Sequence, residues 1–224
     1  MRNIIFFDDN EVRKALLPLT FTRPAAELRV GITTIAEKWR HMLGTADARY
    51  SHLTVPYLKA KFPLIALESN LMVAGHVIPS TQIAAKALAL GSGEALMAGG
   101  ELVAFNGTAA DFDARRFARI VELGEEPMAI RRPYDIFTLN GQVLESDFAR
   151  LTSGRKSAPL PPTCTVIGDP SRIFLEEGAT ADGATLNSRQ GCIYLGRNVE
   201  VMEGACVRGP FAAGEGSKVR IGAN

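Results

Sequence analysis

Four cations, Arg13, Lys14, Arg23 and Arg29, follow closely on the run Asp8-Asp9-Asn10 near the start of the chain. A guanidinium group holds phosphate through paired donors set in a planar fork. Arg13, Arg23 and Arg29 are therefore the candidate catalytic residues, and an anionic ligand such as a phosphate is what they would neutralise. Pro18 and Pro24 stiffen the stretch between them, which lowers the entropy cost of holding those side chains in place. A surface loop with solvated arginines has the same composition, so residue type and spacing leave both readings open.

The elements around this stretch decide where it would sit. Ile4-Ile5-Phe6-Phe7 reads as a buried parallel strand, and Ile32, Ile35, Trp39 and Leu43 recur at helical spacing from about Gly31. Strand, long polar loop and helix is the layout in which open α/β sheets place ligands, outside the carboxyl ends of their strands. Further along, Tyr50 to Leu53, Leu64 to Leu67 and Leu71 to Ala74 read as strands. Ser80 caps a helix bearing Ile83, Ala87 and Leu90, and Gly99-Gly100 joins two strands as a hairpin. A charged helix is expected from about Asp111 to Val121, and a last amphipathic one carries Ile136, Leu139, Val143 and Phe148. Strands alternating with helices predict a layered α/β domain over residues 1–152. Gly154, Pro159, Pro161 and Pro162 make 153–165 a semi-rigid linker.

The pattern then changes. Leu195, Val201, Val207, Ala213 and Val219 stand six apart, as do Ile193, Val199, Ala205, Phe211 and Ser217. An earlier run, Ile167, Ile173, Ala179 and Thr185, is out of phase by two, so an insertion near Asn187 to Gly191 breaks the register. A hexapeptide period of small apolar residues is the signature of a parallel β-helix, predicted here over 166–224. The run Val219 to Asn224 stops in mid-pattern, so the chain reads as part of a longer protein.

Composition narrows the function classes. With 46% hydrophobic and 22% charged residues and a net charge of +1, nothing argues for bulk binding to nucleic acid or to an anionic membrane. No apolar run is long enough to span a bilayer, and no signal peptide opens the chain. Cys164, Cys192 and Cys206 are odd in number and lack CxxC spacing, which predicts buried thiols in a cytoplasmic protein. His41, His52 and His76 have no metal-ligand spacing.

Several motifs carry a resemblance. Phe7-Asp8, the run from Leu16 to Pro24, the run from Leu28 to Ile32, Pro133 to Phe137 and Gly191 to Gly196 resemble a variant branch of bacterial sugar nucleotidyltransferases. That branch is related to the bifunctional enzymes that join an N-acetylglucosamine-1-phosphate uridylyltransferase to a glucosamine-1-phosphate acetyltransferase. The resemblance implies a nucleotidyltransferase-like (Rossmann-like) first domain, the first coils of a left-handed β-helix, and a homotrimer built on that helix. It also implies a nucleotide and a sugar 1-phosphate as substrates, with Mg²⁺ as cofactor.

The chain departs from the conventional pattern at several positions. No glycine precedes Gly31 after the first strand, the expected lysine is Ala25, and the Gly-Asp pair that supplies a metal ligand becomes Gly75-His76. Asp8 and Asp9 would repel a triphosphate unless Mg²⁺ sat between them, so they are the candidate metal ligands. Asp8, Asn70 and Asp135 are the candidate substrate-binding residues. For Asn70 the residue type favours an Asx-turn over a ligand contact, and for Asp135 a helix cap. Two functions stay open: nucleotidyl transfer to a sugar 1-phosphate, and a degenerate domain that binds a nucleotide sugar without turnover. Acetyl transfer by these residues is not expected, because no histidine follows His76 to act as base.

Overall fold

The computed structural model describes residues 2–44 and 47–223. Their contacts divide the chain into one unit of Met1–Arg29 with Thr34–Ile136 and a second of Val30–Thr33 with Phe137–Asn224. The division falls inside the last long helix rather than after it.

The first unit is built on a six-stranded sheet. Its strands are β1 (Asn3–Phe7), β2 (Arg49–Leu53), β3 (Asn70–Ala74), β4 (Glu94–Ala98), β5 (Glu101–Gly107) and β6 (Arg119–Glu122), in the order β2-β1-β3-β5-β4-β6. β1 runs parallel to β2 and β3, and β4 parallel to β6, while β5 runs against β3 and β4. Every residue of β1 and of β3 is buried, as expected of strands covered on both faces. The hairpin between β4 and β5 turns at Gly99 and Gly100, with φ of +55° and +85°, the mirror-image geometry that favours glycine.

Helices α1 (Asn10–Ala15), α2 (Ile35–Leu43), α3 (Thr81–Leu88) and α4 (Ala109–Asp113) complete this unit. Ser80 caps α3 by accepting the Ile83 amide at 3.2 Å. α2 begins later than its apolar spacing suggests, because Thr34 and Glu37 close a capping box just before Ile35. Trp39 on α2 is fully buried, and its indole N–H donates to the Val77 carbonyl at 3.0 Å.

Two expected elements differ. Leu64 to Leu67 is irregular: the Ile65 carbonyl accepts from Asn3, and Asn70 takes both the Leu67 amide and the Leu67 carbonyl. Those peptide groups are taken by side chains and not by a ladder. The charged helix expected over Asp111 to Val121 stops at Asp113, and Ile120 and Val121 instead pair with Ala95 and Leu96 in β6. Two β-branched neighbours favour the strand.

The second unit holds most of α5 (Pro133–Thr152) and three stacks of short parallel strands. These are β7 (Thr165–Ile167), β8 (Ile173–Leu175), β9 (Thr185–Asn187), β10 (Ile193–Leu195), β11 (Glu200–Val201), β12 (Cys206–Arg208), β13 (Phe211–Ala213) and β14 (Lys218–Val219). β9 lies between β7 and β12, β10 between β8 and β13, and β11 beside β14. Thr185 pairs with Thr165 and Cys206, and Ile193 with Ile173 and Phe211. Each rung therefore returns above itself after eighteen to twenty-one residues.

Of the hexapeptide positions, Leu195, Val201, Val207, Ala213, Ile193, Val199 and Ala205 are buried in one core. In the earlier run only Ile173 is; Ile167, Ala179 and Thr185 are half-buried, and Leu175, Ala181 and Leu186 take the inward places. The longer early rungs shift the inward phase. Alternate residues Phe174, Cys192 and Tyr194 form a second cluster with Leu144 of α5, because successive strand residues point to opposite faces. Glu145 ties that helix down by accepting the Cys192 amide and pairing with Arg172, both at 2.8 Å. Gly31, Ile32 and Thr33 join this unit, their amides donating to Asn140 (2.8 Å) and Asp147 (2.9 and 3.2 Å). No described helix is long and apolar enough to cross a membrane.

Candidate functional site

β1 has β2 on one side and β3 on the other: the chain leaves the carboxyl end of β1 for β2, then crosses back past β1 to reach β3. Such a switch in strand order leaves a crevice at the strand ends where α/β sheets take ligands. The crevice is a hollow of about 420 Å³, walled by Asp8, Asp9, Asn10 and Glu11 after β1, by Leu53 to Pro56 after β2, and by Phe112, Asp113 and Arg115 across from them. A second hollow of about 300 Å³ shares Asp9 and Arg115 with the first and adds Phe7, His76, Met97, Glu101, Leu102 and Phe117. Both volumes fit the range of small-molecule sites.

Asp8 is committed to the scaffold. Its side chain is 2% exposed; Oδ1 accepts the Ala25 amide at 2.9 Å, and Oδ2 accepts the Thr54 hydroxyl. Burial raises its pKa above the ordinary carboxylate value, against the pull of those hydrogen bonds and of Arg13. Asp9 caps α1, its Oδ1 accepting the amides of Glu11 and Val12 at 2.9 and 3.0 Å. The two carboxylates therefore do not fit a metal held by both. Among the described residues no group of three His, Cys, Asp or Glu side chains stands close enough to hold a metal ion. Asp9, with one oxygen used for capping, is the carboxylate that a Mg²⁺ carried by phosphates and water could still take, since Mg²⁺ needs only one or two protein carboxylates.

Arg13 is placed inward, not toward a ligand. It is buried, donates to the Thr20 carbonyl (2.9 Å) and to Tyr57 Oη (2.5 Å), and stands 3.9 Å from Asp8 Oδ2. Thr20 returns a hydrogen bond to the Arg13 carbonyl at 2.7 Å. The guanidinium thus closes the loop from Leu16 to Pro24 over α1. Arg23 and Arg29 are exposed and line neither hollow.

Asn70 lies at the amino end of β3, opposite the crevice. It is 1% exposed, with its amide group shared among Asn3, Leu67 and Gly107, so it is the Asx-turn and not a ligand contact. Asp135 reaches back from the first turn of α5 to the amides of Arg131 and Arg132 at 2.8 and 2.7 Å, half of a capping box.

The second hollow has a wall of linked charges. His76 Nε2 lies 2.5 Å from Glu101 Oε1, and Arg131 reaches Glu101 Oε2 at 2.6 Å. The hydrogen bond from His76, then that from Arg131, brings the Glu101 pKa down to about 2 despite partial burial. A larger hollow of about 590 Å³ lies behind Glu101, but Glu122, Glu125 and Glu126 wall it as well against Arg131 alone. That balance repels phosphate.

Arg115 is the residue that the sequence pattern did not single out. It follows α4 with φ +52°, in the left-handed region that costs a side-chain-bearing residue roughly 1 kcal/mol. The Arg115 amide donates to the Phe112 carbonyl (3.1 Å) and the Arg116 amide to that of Asp111 (2.9 Å), a Schellman closure whose left-handed position usually holds glycine. Its neighbours Arg116 and Arg119 are neutralised by Asp111 and Glu94.

A family model described as sugar nucleotidyl transferase matches residues 4–156, which contain both hollows. No curated protein matches the chain.

Proposed function

Because the chain belongs to the sugar nucleotidyl transferase family, we propose that its first unit joins a nucleoside triphosphate to a sugar 1-phosphate. A phosphate oxygen of the sugar attacks the α-phosphorus in line; the new P–O bond forms as the bond to pyrophosphate breaks. Little covalent chemistry falls to side chains in such a transfer, so the work of the protein is placement and charge neutralisation. The observation that carries the reading is the pair of adjoining hollows at the strand-order switch, within the matched residues. Two adjoining spaces suit two phosphate-bearing substrates that must meet. Asp8 and Arg13, through Thr54 and Tyr57, fix the segment after β2 that forms one wall, and His76, Glu101 and Arg131 fix the other. Mg²⁺ entering with the nucleotide would take Asp9 from this chain and would supply neutralisation of phosphate charge.

The experiment is pyrophosphate release, with Mg²⁺ present, from UTP or dTTP paired with a panel of sugar 1-phosphates. Release dependent on the sugar phosphate is expected. A second reading, binding without turnover, is favoured by Ala25, whose backbone amide stands beside Asp8 where relatives of conventional pattern carry a lysine. Calorimetric binding of a nucleotide sugar with no pyrophosphate release under any pairing would select it.

The second unit, on the same proposal, is the start of a left-handed parallel β-helix, and trimers form through it. The hexapeptide period and the eighteen-to-twenty-one-residue return of its rungs support this. Light scattering that gives the mass of one 24.1 kDa chain at micromolar concentration would rule the trimer out.

A further inference from the structure

The geometry points to Arg115 as the residue that clamps phosphate where the two hollows meet, in the place of the lysine that Ala25 does not supply. This rests on the nucleotidyltransferase reading and deepens it. Arg115 and Asp9 alone line both hollows, so a phosphate passed between two substrates lies within reach of this guanidinium. The side chain is exposed, and no ion pair among the described residues includes it. Its guanidinium carbon stands 5.1 Å from the centre of the Phe112 ring. An aromatic face holds a cation in place without cancelling its charge, which is what a waiting phosphate clamp needs.

The backbone gives the second, independent argument. Arg115 occupies the left-handed position of a helix-ending motif, at φ +52°, where glycine would sit without strain. Strain retained at the wall of a cleft marks a side chain kept for what it does there. A solvated arginine with no task would gain nothing from that position.

The same conformation supplies the test. Arg115→Gly removes the guanidinium and relieves the backbone, so a structural and a functional role predict opposite results. The expected outcome is a melting temperature raised by about 2–4 °C, together with affinity for tripolyphosphate and for UTP lowered roughly 10- to 100-fold. Arg115→Lys keeps the charge but loses the fork and should fall between the two. Parental affinity in Arg115→Gly, with the parent binding both probes, overturns the assignment of Arg115 alone. A parent chain that binds neither tripolyphosphate nor UTP, with or without Mg²⁺, overturns this assignment and the nucleotidyltransferase reading together.

Discussion

Replacing Arg13 by alanine would strand the buried Thr20 carbonyl and leave the buried Asp8 without the cation beside it. A loss of about 2–4 kcal/mol is expected, read as a lower urea midpoint at unchanged slope. Arg23→Ala, on the exposed part of the same loop, should shift stability by less than about 0.5 kcal/mol. From the sequence the two arginines look alike. What separates them is Tyr57, 44 residues beyond Arg13, and no local pattern shows that it folds back over the loop. Arg115 was hidden for a different reason: a charged residue in a charged helical stretch carries no mark of a left-handed backbone. Glu101 yields a pH prediction. Its folded pKa of about 2 lies below the ordinary 4.5, chiefly through the His76 hydrogen bond. The folded state therefore holds fewer protons there than the unfolded one. That stability is present above about pH 4.5 and drains away as pH falls towards 2. Acid titration of Glu101→Gln should show a flatter decline across that window, and an unchanged profile would count against the pairing.

Elements with a local cause were legible. Gly99-Gly100 announced a hairpin, and Ser80 a helix start, because turn and cap chemistry is written in adjacent residues. The strand expected at Leu64 to Leu67 failed because Asn3 and Asn70 take its peptide groups, and those partners are set by the sheet. From Ile193 the residues six apart share one core and Ile193 and Phe211 stand eighteen apart, while earlier the paired strands stand further apart and the buried positions shift. Between rungs the spacing is tight: a methyl on Gly209 would collide with the Gly191 and Cys192 carbonyls, and one on Gly191 with Pro210. Gly209→Ala should cost about 1–3 kcal/mol and speed hydrogen exchange in β10 and β13. Gly216→Ala, with open space around it but φ +68°, should cost only about 1 kcal/mol, from backbone strain alone.

At the scale of the molecule, the two units have separate cores, one around Trp39 and the buried strands of the mixed sheet, the other between the rungs. The single tryptophan belongs to the first. Its fluorescence should therefore follow one unfolding transition, while exchange of the rung amides follows another with a different midpoint. Coincident midpoints would show one cooperative block. A change of period along the chain gave no sign of the early visit of residues 30–33 to the second unit. That visit sets a clock on synthesis. The Ile32 and Thr33 amides find Asp147 only 115 and 114 residues later, a wait on the order of ten seconds at ribosomal speed. Until then the segment between Arg29 and Thr34 has water in place of its carboxylate. A ribosome stalled short of Asp147 would present it as an open site to any passing protease.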